Sequence, residues 1–459
     1  MPNFFLNALE NTVILLYNSI KNKSRRMKMT EFIRETNEIP KIADVDVLVC
    51  GAGPAGIGAA IMASRNGASV MLVEAMGCLG GIATAGMMSH WGGRSSSKIM
   101  PEIWDLSYEK SKDIGWTEEN GCRKNAIYHE VQKIVLEEMM EKENVKVLYY
   151  THVCKAVVEN NEIIGVIVEN KSGRGFIKAK RVVDSTGDGD VAASAGVPFT
   201  KGREDDGRMQ PCTIMFNVGG VDFKRAVFPP SFETLVHTEK GELQALAKEL
   251  LPFPAGHVLL YRQPMPGTVC CNMTNAIEID GINAESLTKG VFTCHSQIVP
   301  IIKFLREYVP GYENCWLMSS AQLIGIRETR HFEGLETITR DDILEAKFHE
   351  NWAVRRAWFN FDVHNLTGAS LDKTGVQHGW KQKNDYTIPY GCLLPKNVEG
   401  LLLSGRNISG SHMAHSNFRI MSVCIALGEA AGVAAALSIK QNKRLRDINI
   451  KELQEIVGE

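Results

Sequence analysis

A dense polar set falls within nine residues near the C-terminal end: Ser411, His412, His415, Asn417 and Arg419. Histidine changes charge near neutral pH, so His412 or His415 is suited to take a proton from a hydroxyl group or a carbon acid. A loop histidine that only hydrogen-bonds backbone is the competing role for either. Arg327 and Arg330 stand in an R-E-T-R segment. Their guanidinium groups could grip a carboxylate or a sugar-like oxygen, or simply pair with Glu328 or Glu333. His90 follows a small-residue loop, and Asp362 and His364 share the segment FDVHN. The thiols are less promising. Cys78 reads as a small buried group, and the adjacent Cys270 and Cys271 could form only a strained disulfide. No metal-binding cluster stands out.

Such groups need a scaffold, and Val45–Glu74 supplies its first part. The apolar run Val45–Cys50 reads as a buried parallel strand. It leads into G-x-G-x-x-G at Gly51, Gly53 and Gly56, then a small-residue helix that includes Pro54 and Ala55, then a second strand ending in Glu74. Gly51 permits the tight turn, Gly53 lets backbone approach a pyrophosphate, and Gly56 lets helix and strand pack closely. The helix N-terminus favours phosphate, and Glu74 is placed to accept hydrogen bonds from ribose hydroxyls. The unit therefore predicts an adenine dinucleotide.

The chain has 459 residues, is 44% hydrophobic and 23% charged, and carries a net charge of −2. That balance gives no electrostatic reason to expect nucleic acid or an anionic membrane as a partner. Eleven cysteines without a C-x-x-C pair read as reduced thiols of a cytoplasmic protein. Residues 1–38 read as a non-catalytic extension; their apolar part is too short and polar to span a bilayer, and the basic cluster follows it rather than preceding it.

The fold class predicted is α/β. A Rossmann-like cofactor domain, with a central parallel sheet and a β-meander, spans residues 39–200 and resumes at 396–445; an α+β substrate domain is inserted at 201–395, and 446–459 form a tail. Helices are expected at Lys124–Glu143, Ser286–Tyr308, Arg340–Trp358 and Arg419–Ile439. Residues 87–124 are expected to be irregular, and Gly405–His415 a loop. The meander is expected at 152–179, before the second glycine-rich turn, Ser185–Asp190.

Five ordered blocks give the chain a family likeness. It resembles FAD-dependent oxidoreductases of the glutathione-reductase-like superfamily, and more narrowly a bacterial group with a G-x-L-G-G-x-A-T-x-G loop. Here that loop is Gly77–Gly86. The other blocks are Val182–Phe199, Pro211–Asp222, Ile324–Gly334 and Leu401–Leu437. The resemblance implies FAD, with Gly80, Gly81, Ala83 and Thr84 on the loop and Val153 at the adenine edge. It places Gly187 and Asp188 at the ribityl or pyrophosphate side and Gly405 and Arg406 at the last cofactor turn. The backbone of Arg419, Ile420 and Met421 would face the flavin N1/O2 edge. His90 would approach a flavin face.

No second G-x-G-x-x-G follows a strand, so electrons are expected to come from a small organic substrate whose hydride passes to flavin N5. An oxidase or hydroxylase, or a flavoprotein subunit of an electron-transfer complex, stays open as the alternative. A homodimer or a redox partner protein stays open as well. The tRNA-modifying flavoproteins of the superfamily fit poorly with a net charge of −2.

Overall fold

The computed structural model describes residues 35–114, 126–229, 231, 234–369 and 382–458. Residues 1–34 of the expected extension, and the positions around Trp116 and Lys124, lie outside the described residues. Strand β1 (Lys41–Cys50) is central because Val47–Cys50 are buried on both faces, as a parallel strand covered by helices must be. It pairs in parallel with β2 (Val70–Val73) on one side and β6 (Gly173–Asp184) on the other. Beyond β2 lies β3 (Lys146–Leu148), and beyond β6 the antiparallel β5 (Glu162–Asn170) and β4 (His152–Glu159).

The expected short third meander strand is instead one continuous strand. The first half of β6 pairs with β5, and its last residues, Val182–Asp184, pair in parallel with the late strand Leu401–Leu403. The central sheet is therefore completed by a segment more than two hundred residues downstream.

Helix α1 (Pro54–Arg65) covers this sheet and packs along the closing helix Met421–Lys440 through glycine contacts. A Cβ at Gly428 would sit 1.9 Å from the Ala55 carbonyl oxygen, and one at Gly432 2.2 Å from that of Ala59. Among the described residues Met421–Lys440 is the one helix long and apolar enough to cross a bilayer, and it is buried inside the fold.

A second, four-stranded antiparallel sheet runs in the order Leu260–Arg262, Val269–Cys271, Phe216–Gly219, Trp316–Ser320. Phe216, Val218, Leu260, Val269 and Cys271 join the separate core that includes residues of the helices Leu243–Leu250 and Ala284–Tyr308. Side chains alternate along a strand. The opposite face accordingly carries a cross-strand row of Tyr261, Cys270, Asn217 and Ser319. This row overlies the chain after the glycine loop: Cys270 Sγ reaches the Met87 carbonyl at 3.4 Å, and the Tyr261 and His90 rings lie 5.0 Å apart.

Three expected elements are corrected. The helix Arg340–Trp358 stops at Leu344, where Ala346 turns to a left-handed φ of 52°, and Trp352–Ala357 is a strand paired with Tyr386–Pro389. Residues 87–124 contain the helix Ile99–Asp113. Its first N–H groups are capped by the buried carboxylate of Glu429, which accepts from Lys98 N and Ile99 N and from the Ser97 hydroxyl. The expected loop Gly405–His415 already enters a helix at His412–Phe418, separated from the closing helix by the extended Ile420.

Candidate active site

The glycine turn is open where a cofactor would need it to be. Gly53 caps α1 with no side-chain acceptor on its N–H groups, and a Cβ at Gly53 would meet nothing within 4 Å. By contrast a Cβ at Gly51 would lie 2.5 Å from the Ser185 oxygen, and one at Gly56 1.8 Å from the Gly51 oxygen. These two glycines are forced by packing, and Gly53 borders free space. The second glycine loop docks here too. Gly80 N donates to Ala52 O at 2.8 Å, and a Cβ at Gly81 would come within 2.9 Å of Gly53 Cα. Ala83 ends a short 3-10 turn, and the Thr84 hydroxyl returns to the Leu79 carbonyl.

Glu74 is fixed at the tip of β2, with Oε2 accepting from Ala52 N at 2.7 Å and Oε1 from Met76 N at 2.8 Å. A carboxylate has about four acceptor sites, so capacity for ribose hydroxyls is retained. Thr151 N donates to the Glu74 carbonyl, which sets the start of β4 and Val153 beside that end of the cradle. An anion-friendly helix start, an open Gly53 and an anchored carboxylate fit an adenine dinucleotide.

The other half of the cradle is held by charge. Asp188 Oδ1 accepts from Arg406 Nη2 and from the Thr329 hydroxyl, each at 2.6 Å. Gly187 has φ of 82° and packs against the Arg406 guanidinium. Arg330 donates to the Asp188 carbonyl and to Asp190, both at 2.8 Å, rather than pairing with Glu328 or Glu333. Asp184 organises this turn, although sequence reading passed over it. Its buried carboxylate accepts from Thr186 and Ala192, and burial raises its pKa to about 6. Gly405 has φ of 87° and faces Ala55, placing the last turn against the start of α1. Ile420 begins the closing helix without a side-chain cap, and Met421 is buried at its first turn.

The proton-handling residues fall into two groups. In the first, Glu328 Oε1 accepts from His331 Nε2 at 2.7 Å and His412 Nδ1 at 2.5 Å, while Oε2 accepts from Gln210 N at 3.1 Å. Burial alone would raise the Glu328 pKa, but the two histidines hold it well below the usual carboxylate range. Burial works against charge on His412 as well, yet the Glu328 hydrogen bond and charge raise its pKa. His412 is thus held at Nδ1 by a carboxylate that favours its protonated form, rather than standing as the free base expected. His415 is fully buried, and burial first, then His331, push its pKa well below 6.5. The ligand atoms of Glu328, His331 and His412 lie within 4.8 Å of one another. A metal ion could bridge them, but the two histidine–carboxylate hydrogen bonds already occupy His331 Nε2, His412 Nδ1 and Glu328 Oε1, and His331 Nδ1 stays buried without a partner among the described residues.

The second group gathers around Asp362. Arg419 Nη2 donates to its carboxylate at 2.8 Å and also to its carbonyl, and His364 Nε2 lies 3.2 Å from Oδ1. Burial would raise the Asp362 pKa, but His364, Arg419 and Arg327 hold it far below the usual range. His364 is lowered to about 4 by burial, then by Arg327, against the pull of Asp362. Arg327 is itself lowered to about 10, by burial and then by Arg419. Its one hydrogen bond among the described residues runs from Nη1 to the Pro211 carbonyl at 2.5 Å. His257 is lowered to about 3 by burial and by His364, and burial and Asp362 together raise Tyr261. His90, bonded to Ser89 at 2.8 Å, meets this group through Tyr261.

Gln210 joins the two groups, since its backbone N–H serves Glu328 and its side-chain oxygen accepts from His364 N at 3.3 Å. Asp362, His364, Arg327, Arg419 and His90 were visible in the sequence as separate candidates, and the fold brings them together. His257, Tyr261 and Gln210 sit in no motif, and Glu328, although it stands in R-E-T-R, shows itself as a hub only through the tertiary contacts.

The family profile described as FAD dependent oxidoreductase matches residues 46–457. No curated protein matches the sequence significantly. Among solved structures, a geranylgeranyl bacteriochlorophyll reductase-like protein from Thermoplasma acidophilum is 12% identical over 90% of this chain and 83% of its own, with a TM-score of 0.46. A flavin-dependent brominase is 13% identical over 90% of this chain and 83% of its own, with a TM-score of 0.46. The p-nitrophenol 4-monooxygenase of Pseudomonas putida is 12% identical over 91% of this chain and 81% of its own, at 0.43. With its open dinucleotide cradle and a profile match from one end of the fold to the other, the chain belongs to the FAD-dependent oxidoreductase family.

Proposed function

We propose that the protein is a dehydrogenase that oxidises a hydroxyl-bearing carbon of a small polar molecule, with Arg327, Asp362, His364 and Arg419 as its substrate site. The observation that carries this reading is Arg327. It is 9% exposed, yet only one of its N–H donors has a partner among the described residues. A guanidinium carries five N–H donors, and those that the Pro211 carbonyl leaves over are open to an oxyanion ligand. The charge count agrees: Arg327 and Arg419 oppose one Asp362 carboxylate, with His364 and His257 neutral at pH 7. The excess positive charge is complementary to an oxyanion.

Bound FAD supplies the two-electron acceptor for the hydride that leaves the substrate carbon. His364 takes the hydroxyl proton, and Asp362 stabilises the imidazolium that forms. Arg327 orients the substrate oxygen and steadies the negative charge that grows as its proton departs. We assign the base to His364 rather than His412 or His415, because the Glu328 carboxylate engages His412 at Nδ1 and favours its protonated form, and His415 is walled in. In this reading residues 201–395 set the substrate, and 39–200 with 396–445 hold the cofactor.

The test is anaerobic bleaching of the bound flavin by hydroxy acids, sugars and glycosides. His364→Gln should keep its FAD and slow bleaching by about 10²–10⁴-fold. Wild-type bleaching should weaken only as the pH approaches about 4, where His364 becomes protonated. Unchanged bleaching in His364→Gln would refute the assignment, and rapid peroxide release in air would replace dehydrogenase with oxidase.

A further inference from the structure

We propose that a cavity of about 310 Å³ beside the glycine loop binds the distal, hydroxyl-rich part of an extended substrate, such as the second sugar of a glycoside. This inference rests on the dehydrogenase reading for its reacting end and adds a second recognition site. The cavity lies between Thr84–Met87, the start of the helix His129–Lys142, and the second sheet. The loop and sheet are tied together there, because the backbone N–H groups of Gln322 and Leu323 both donate to the Ala85 carbonyl.

The sheet side presents Asn217, Gln263, Ser319, Ser320 and Gln322. Asn217 is 8% exposed, and its Oδ1 is buried without a hydrogen-bond partner among the described residues. Gln263 is 3% exposed, and its Nε2 makes only a 3.5 Å contact with the Ser89 carbonyl. Buried amides left short of partners are costly, and a ligand rich in hydroxyls can supply both donors and acceptors. The one nearby cation, Lys133, pairs with Glu130 at 2.8 Å, so the lining favours a neutral ligand. Met87, Met265 and Met318 provide apolar surface for the C–H faces of a sugar ring.

The cavity and the Asp362 cluster occupy two ends of one sheet face. The row Ser319, Asn217, Cys270, Tyr261 starts at the cavity and ends at the tyrosine that faces His90 and feels Asp362. Three strand spacings, about 14 Å, separate its ends; Cys270 is buried against the Met87 carbonyl between them, so an elongated molecule that reaches both must pass around Met87 rather than along the row.

The test is calorimetric titration of the FAD-loaded protein under nitrogen with cellobiose, maltose and glucose. A disaccharide should bind at least ten-fold more tightly than glucose. Asn217→Leu and Gln322→Leu should each weaken that binding at least ten-fold with FAD content and melting temperature retained. A wild-type protein that binds a disaccharide while no hydroxy acid, sugar or glycoside bleaches its flavin would overturn the dehydrogenase reading and leave this one standing. The proposal is overturned if neither disaccharide binds, if both variants bind it as the wild type does, or if both shed FAD, which would make the cavity part of the cofactor seat.

Discussion

Replacing Arg327 by methionine should make the protein more stable and nearly inactive. Burial holds the Arg327 pKa at about 10 against an ordinary 12.5. A difference of some 2.5 units corresponds to roughly 3 kcal/mol disfavouring the charged form in the folded state. The sign follows: the folded pKa is depressed, so this destabilisation is fully present at neutral pH and disappears only as the pH rises through about 10 toward 12.5. Asp362 keeps its direct Arg419 hydrogen bonds in the variant, so no carboxylate is stranded. Methionine fills similar volume without the desolvated charge, and replacing buried charge by well-packed apolar groups is commonly stabilising by about 1–4 kcal/mol. For a chain of this size a gain near 2 kcal/mol would raise the melting temperature by a few degrees. The same change removes the donors proposed to face the developing oxyanion, a loss of about 10²–10³ in kcat. Differential scanning calorimetry and anaerobic bleaching of the same preparation read both quantities. A variant that melts below the wild type and loses FAD would mean that Arg327 is a structural partner of Asp362, and the argument from its unmet donors would fail.

Glu328→Gln should destabilise the fold by about 3–5 kcal/mol, because it breaks a buried ion pair and strands His412. The wild-type pair is strongest between about pH 4.5 and 6.5. Below that window the depressed Glu328 is lost as it protonates, and above it the raised His412 is lost as it deprotonates, so urea unfolding across pH should show a maximum that Glu328→Gln abolishes. Gly428→Ala should lower stability by about 1–3 kcal/mol and weaken FAD retention, since its Cβ meets the Ala55 carbonyl at the start of the cofactor helix. Normal melting and full flavin content in that variant would show that the two helices can separate freely.

The cofactor half of the fold was legible because its signals are local. Gly51, Gly53, Gly56 and Glu74 specify a strand, a turn, a helix and a second strand within thirty residues, and each position has a single mechanical reason. The region around Arg327 and Asp362 was legible only as fragments. Arg327 and His364 stand in separate short motifs, and nothing in either indicates that Gln210 and Pro211 bridge them. The helix Ile99–Asp113 was missed because its cap, Glu429, comes from more than three hundred residues away. His412 was misread for a similar reason: a histidine's charge depends on its neighbours, and Glu328 becomes a neighbour only through tertiary folding.

The contact between α1 and Met421–Lys440 also sets an order for events on the ribosome. All ten residues from Pro54 to Ala63 are buried in the finished protein, and the helix that covers them ends 375 residues beyond Arg65. At about 5–20 residues per second, that apolar surface stays uncovered by its partner for roughly 20–75 s of synthesis. The first half of the cofactor fold therefore emerges early and waits for the last. During that interval it is a natural client for a chaperone, and premature termination anywhere before the closing helix yields a chain with an exposed sticky face and no complete seat for FAD.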